Sequence, residues 1–463
     1  MGSLLQGEWS QVRGQNNMFR GSQPTWANAC VGENGSPSFV EYAKGFSTAA
    51  NLLIEKALSC RSIEYSVDEL IYPICFNMRH SVELRLKGTV YWLKELSKHR
   101  QRLPKFNFES SHDLGKIWRF IKDHAILIDK RYKFYIDSLD NYISSLSDVD
   151  PTGQTFRYPT NQESEKHLTE ISIINVVVLK EAFSEMERLL DELNIFNEDL
   201  FQEYEQGTFT RKLSRHEIYC LAKELPPRDA WQEDEFKGVK ETAKEYFGLS
   251  SNDFSKAIRE IERNFEMAAF IEKTPPLEDI DSEQLMSFFD SWILVHDLSE
   301  VQSPAKSCRV YSLGSDNMLK EMIEDSETTN RALKLVSSKV GIKAIGELKA
   351  LYYFAYDLGY SERYRHIAER EKRTLAALKD GGQDQYEDAV LHLIDKTDAF
   401  QKVITSLLFL NQNSVANDAI SRYELPETLE WLQPARNRKP CSHLSALGYD
   451  SWAEVDSWLT PRR

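Results

Sequence analysis

Four side chains capable of acid–base or phosphate chemistry fall within nine residues of this chain: Arg79, His80, Glu83 and Lys87, in the run RHSVELRLK. At 3.6 residues per helical turn, Arg79, Glu83 and Lys87 recur on every fourth position, and His80 stands three before Glu83. On a helix, all four share roughly one side. A second histidine beside an acid, His112-Asp113, and an arginine in a turn-rich stretch, Arg157, complete the set. Histidine moves a proton near neutral pH, and arginine grips a phosphate with two parallel hydrogen bonds. Together they suit phosphodiester cleavage without a metal, in which one group takes the proton of a ribose hydroxyl, another protonates the leaving oxygen, and arginine offsets the developing charge. The same residues also suit a buried polar network that ties helices together, because charges on so apolar a helix must be paired or face a cleft.

The helix that must carry this cluster covers residues 70–96, with Leu70, Ile74, Met78, Leu84 and Leu86 as apolar neighbours and Pro73 near its start. Before it, Phe39, Tyr42, Ala43, Phe46, Ala49, Ala50, Leu53 and Ile54 mark a helix face over 39–58. Ser110 or Ser111 is placed to cap a helix beginning at His112, and another helix follows over 132–146. Residues 147–159, SDVDPTGQTFRYP, read as a compact loop, and a long helix is expected over 164–193. Ser214 and Glu217 form a capping box that opens a short helix to about 225. Further helices are expected over 231–247, 250–273, 281–296, 345–356, 364–377 and 386–410, with a short strand within 303–314. Fold class is therefore all-α, divided as an irregular arm over 1–38, a helical bundle over 39–198, a middle helical region over 199–300 and a mainly helical region over 301–463. With 20 Gly and 15 Pro in 463 residues, breakers are few, as helices require.

Composition narrows the function. A formal net charge of −15 argues against an extended DNA-binding surface, although a local basic cleft is compatible with it. Cys30, Cys60, Cys75, Cys220, Cys308 and Cys441 include no CxxC pair and suit free thiols in a reducing, cytoplasmic setting. No run of about 18 apolar residues suggests a membrane span, and the first residues lack the basic-then-apolar pattern of a secretory signal. There is no HExxH or paired metal-ligand motif, no GxxxxGK[ST] or GxGxxG phosphate loop, and no GxSxG elbow, so neither a metal nor another cofactor is expected. A second arginine–histidine grouping, Arg436 or Arg438 with His443, flanks Pro440 and reads as a solvated basic loop rather than a site. Aromatic groups at Tyr352-Tyr353-Phe354 and at Trp431, Trp452 and Trp458 read as core or docking side chains.

The runs RHSVELRLK (79–87), HDLGKIW (112–118) and DPTGQTFRYP (150–159), in this order, resemble the HEPN-like helical proteins of bacteria over about a quarter of the chain. The resemblance implies a four- or five-helix bundle that often dimerises. It implies an RNA-directed protein, in its catalytic form a metal-independent endoribonuclease of anti-phage or toxin–antitoxin defence. Other members only bind RNA or nucleotides. The resemblance implies Arg79, His80, Glu83, His112 and Arg157 as the lining of a cleft; by their chemistry His80 and His112 are the candidates for proton transfer, Arg79 and Arg157 for phosphate contact, and Glu83 and Asp113 for orienting carboxylates. The family's catalytic signature places four to six residues between an arginine and a histidine on one helix. Arg79 is followed at once by His80, and only Arg436 or Arg438 with His443 meets that spacing. The alternative is a non-catalytic helical adaptor or sensor that acts through a protein partner.

Overall fold

The computed structural model describes residues 18–59, 63–160, 163–296, 298, 316–377, 383–437 and 447–449. Among them the regular elements are helices, and the nearest approach to a sheet is one isolated bridge between Thr160 and Lys166. The protein is all-α. No helix among the described residues is long and apolar enough to cross a membrane. The described residues fall into two compact units, one drawn from residues up to 94 and from 103–195, the other from 95–102 and from 196 onward.

In the first unit, α1 (Phe39–Ser59) buries Val40, Ala43, Ser47, Ala50, Ile54 and Ala57, a single face at three- and four-residue spacing. Then comes α2 (Val67–Ser97), which contains Pro73 near its start. From Met78 to Val90 nearly every side chain of α2 is buried, including Arg79, Glu83, Arg85 and Lys87. A helix enclosed on all sides can keep such charges only by pairing them.

Residue 112 lies just outside α3 (Leu114–Ile128), and the cap is Asp113, whose carboxylate accepts from the Lys116 amide. Ser110 and Ser111 therefore do not fill the role expected of them. The next helix, α4 (Tyr132–Val149), ends in a turn built by Asp150. The Asp150 Oδ1 atom accepts from the backbone amides of Gly153, Gln154 and Thr155 at 2.8, 3.0 and 3.2 Å. The long helix expected from residue 164 instead starts at Val176, as α5 (Val176–Glu205). Two local causes explain the delay. Ser164 and Leu168 adopt positive φ, and the Asn175 side chain caps the Val177 and Val178 amides at 2.9 and 3.2 Å.

The second unit holds two cores. Around the first stand α6 (Arg215–Glu224), opened by the Ser214–Glu217 capping box, α7 (Asp234–Phe247), α8 (Ser251–Arg263) and α9 (Phe265–Phe270). The single helix expected over 250–273 is broken because Asn264 turns its side chain onto the Glu266 and Met267 amides, both at 3.0 Å. The second core begins with α10 (Ser282–Val295), which packs on α11 (Asp316–Lys339), so the helix expected in the middle region shares its core with the C-terminal one. There α12 (Ile342–Phe354) packs on α13 (Glu362–Ala377) and on α15 (Ala399–Phe409), which is separate from α14 (Gln383–Ile394). Two short helices, α16 (Asn413–Arg422) and α17 (Leu432–Asn437), complete the described helices. The strand expected within 303–314 and the tryptophans Trp452 and Trp458 lie outside the described residues.

Candidate functional site

One buried carboxylate, Glu83 on α2, organises the first unit's polar centre. It pairs with Arg79 one turn before it and with Lys87 one turn after it, the latter at 2.8 Å. The His112 Nδ1 atom lies 2.9 Å from Glu83 Oε1, and His80 Nδ1 lies 4.0 Å from Oε2. Two cations and two imidazoles thus surround a side chain only 1% exposed. Burial alone would raise the Glu83 pKa. The Lys87 hydrogen bond, the Arg79 and Lys87 charges and the His112 hydrogen bond outweigh it and hold the carboxyl below its ordinary value.

The two histidines differ. The His112 side chain is 64% exposed and is anchored through one ring nitrogen to Glu83. This leaves its other ring nitrogen for solvent or a ligand. His80 is half-buried, with the Phe46 ring edge-on at 4.4 Å and the Phe76 ring stacked at 5.9 Å. Burial, with the Arg79, Lys87 and His112 charges, lowers the His80 pKa from its ordinary value against the pull of Glu83.

Arg79 occupies a different place from the one expected of a phosphate contact. It is 2% exposed, and beyond Glu83 it donates to the carbonyls of Asp150 at 3.2 Å, Pro151 at 2.9 Å and His112. Its donors thus fasten the turn after α4 and the approach to α3 onto α2. Lys87 adds a bond to the Glu109 carbonyl at 3.0 Å. The turn needs Gly153, whose φ is +78° and where an added Cβ would stand 3.1 Å from Arg79 Nη1.

Asp113 also differs from its expected part: its carboxylate caps α3 and pairs with Lys116 at 3.2 Å, while Glu83 orients His112. Burial opposes, but the Lys116 and Gly115 interactions prevail and hold Asp113 below its ordinary pKa. Arg157 is exposed and stays outside this network. Its guanidinium lies 5.7 Å from the Phe76 ring centre and 5.2 Å from that of Tyr158, with a 3.4 Å bond to the Tyr158 hydroxyl. Phe76 therefore neighbours both Arg157 and His80. The structure joins Arg79, His80, Glu83, Lys87 and His112 directly, and reaches Arg157 through this ring.

A third buried cation of α2 escaped the sequence reading. Arg85, 3% exposed, bonds Asp191 at 3.0 Å, Glu187 at 3.2 Å and Ser47 at 3.2 Å, fastening α2 to α5 and α1. A charge inside an apolar helix was its visible signal. The Cys75 thiol on α2 is buried and pushed up to about 12 by that burial and by the Asp150 charge. Cys30, Cys75 and Cys220 are free thiols. In the C-terminal grouping, Arg436 bonds Asn417 at 2.9 Å and Glu427 at 3.0 Å, while Arg438 and His443 lie outside the described residues.

Among the described residues, no group of three or more histidine, cysteine, aspartate or glutamate side chains converges as a metal ion would require. The chain matches no family model, and no curated protein or solved structure matches it.

Proposed function

We propose that this chain acts on RNA and that its first unit transfers phosphoryl groups through His80 and His112, as a metal-independent endoribonuclease of the HEPN-like kind. The observation that carries this is a single buried carboxylate, Glu83, in reach of two histidines, one of them 64% exposed. A carboxylate behind an imidazole fixes the ring and offsets the positive charge it takes on, an arrangement suited to proton transfer at the outer nitrogen.

The step divides between the rings. His80, held neutral by burial and flanking cations, takes the proton of the ribose 2′-hydroxyl. The freed oxygen attacks phosphorus and a 2′,3′-cyclic phosphate forms. The bond from phosphorus to the 5′-oxygen breaks, and protonated His112 gives that oxygen its proton, leaving a 5′-hydroxyl. Arg157, exposed and with one weak hydrogen bond among the described residues, is the phosphate contact. Arg79 acts through Glu83 and the turn it fastens. Bacterial defence against phage is the setting that the sequence resemblance implies.

A second proposal, a non-catalytic adaptor, draws support from the same Arg79, because a guanidinium turned inward onto three carbonyls also describes a purely structural tie. Cleavage of total cellular RNA in the presence of EDTA separates the two. Discrete cuts lost in His80→Ala and His112→Ala, with both variants folded, support the ribonuclease. No cutting by the folded wild-type protein supports the adaptor.

A further inference from the structure

A cavity of about 820 Å³ opens in the first unit between the start of α2, the segment after the Asp150 turn and the irregular stretch before α5. Its volume lies in the range of sites that enclose small molecules. Arg157 belongs both to this wall and, through Phe76, to the surroundings of His80. Arg157 thus links the cavity wall to the ring that stacks on His80.

The lining is not that of a simple apolar groove. Tyr72 of α2 and Tyr158 of the turn segment, each 49% exposed, offer ring faces. Arg157 and Lys166 supply positive charge, and Lys166 has no ion-pair partner among the described residues. The acidic side chain in the lining, Asp68, lies in the first turn of α2, where the positive end of the helix offsets it. Rings that stack and cations that meet phosphate are the requirements of an unpaired nucleotide. In a duplex the base faces and pairing edges are already covered, so the same surfaces have nothing to meet.

We propose that this cavity seats one unpaired nucleotide of a single-stranded RNA next to the bond that the histidines cleave. The inference rests on the phosphoryl-transfer proposal above and adds to it the substrate class, single-stranded over double-stranded RNA, and the residues that select it. Tyr72 and Tyr158 stack the base, and Lys166 and Arg157 hold the flanking phosphates.

The test uses the full chain and a fluorescein-labelled, fully 2′-O-methylated RNA of mixed sequence, which binds but cannot be cut, alone and annealed to its complement. Binding is followed by anisotropy for wild type, Tyr72→Ala and Lys166→Glu. The expected result is tighter binding of the single strand than of the duplex. Tyr72→Ala and Lys166→Glu each weaken it about tenfold, as loss of one stacked base or one phosphate contact does. Equal binding of both forms, no binding of the single strand, or binding that neither cavity variant alters would overturn the assignment. Cleavage of unmodified RNA judges the other proposal separately. If His112→Ala abolishes cutting while Tyr72→Ala and Lys166→Glu leave both cutting and binding intact, the cavity assignment fails and the histidine chemistry stands. If binding follows the expected pattern but wild type does not cut, the cavity assignment stands and the chemistry fails.

Discussion

Replacing Glu83 by glutamine should loosen the first unit far more than the loss of one surface ion pair. The carboxylate is 1% exposed, and its cationic partners Arg79 and Lys87 are 2% and 4% exposed, so the cations cannot turn to water when the charge is removed. Arg79 keeps its three carbonyls and Lys87 keeps Glu109, which softens the effect without supplying a counter-charge. Breaking a buried pair by removing one partner costs about 3–5 kcal/mol. Since each 1.4 kcal/mol is about a factor of ten, protection of α2 amides from hydrogen exchange should fall on the order of a hundred- to a few thousand-fold at pH 7. The sign of the pH dependence follows from the lowered pKa of Glu83. Its contribution is complete above the unfolded value of about 4.3 and disappears as pH falls through the lower folded value. The gap between wild type and Glu83→Gln should therefore be widest at neutral pH and close in acid. A loss of protection under tenfold at pH 7, or a gap that stays constant into acid, would refute the idea that one carboxylate holds this cluster.

Other parts of the structure carry their own expectations. Gly153→Ala should cost about 1–2 kcal/mol from the positive φ alone, with more from the close approach to Arg79, and a thermal melt would register it. Asn264→Ala removes the side-chain acceptor for two amides at the start of α9 and should cost about 1 kcal/mol in a urea titration. His80, with its folded pKa lowered, resists a proton that the unfolded chain accepts below about 6.5. Stability should therefore decline from pH 7.5 to 5.5 more steeply in wild type than in His80→Asn, and denaturant midpoints at the two pH values would reveal the difference.

Where the chain made its own local rules, the fold was legible beforehand. The three- and four-residue spacing over 39–58, the Ser214–Glu217 capping box and the scarcity of glycine and proline all lead to helices that the structure contains. The charged positions of α2 announced a buried network because their spacing put them on one side of an apolar helix. Boundaries were hidden where a single polar side chain decided between continuing and capping. Asn175 delays α5 and Asn264 splits α8 from α9, yet neither interrupts the apolar periodicity that a sequence displays. The site was legible as a set of residues more than as an arrangement. That Arg79 turns inward, that Asp113 caps a helix, and that Phe76 neighbours both His80 and Arg157 depend on where separate segments meet, which spacing along one chain does not encode.

The most direct test of the central claim, that a Glu83-organised pair of histidines transfers phosphoryl groups, is the mass of the RNA ends the protein leaves. A short single-stranded RNA is incubated with the full chain in EDTA, beside one carrying a single 2′-deoxy nucleotide at the cut position. The account predicts a 2′,3′-cyclic phosphate on one fragment, a 5′-hydroxyl on the other, and no cut at the deoxy position. A 5′-phosphate, or equal cutting of the deoxy substrate, would contradict it.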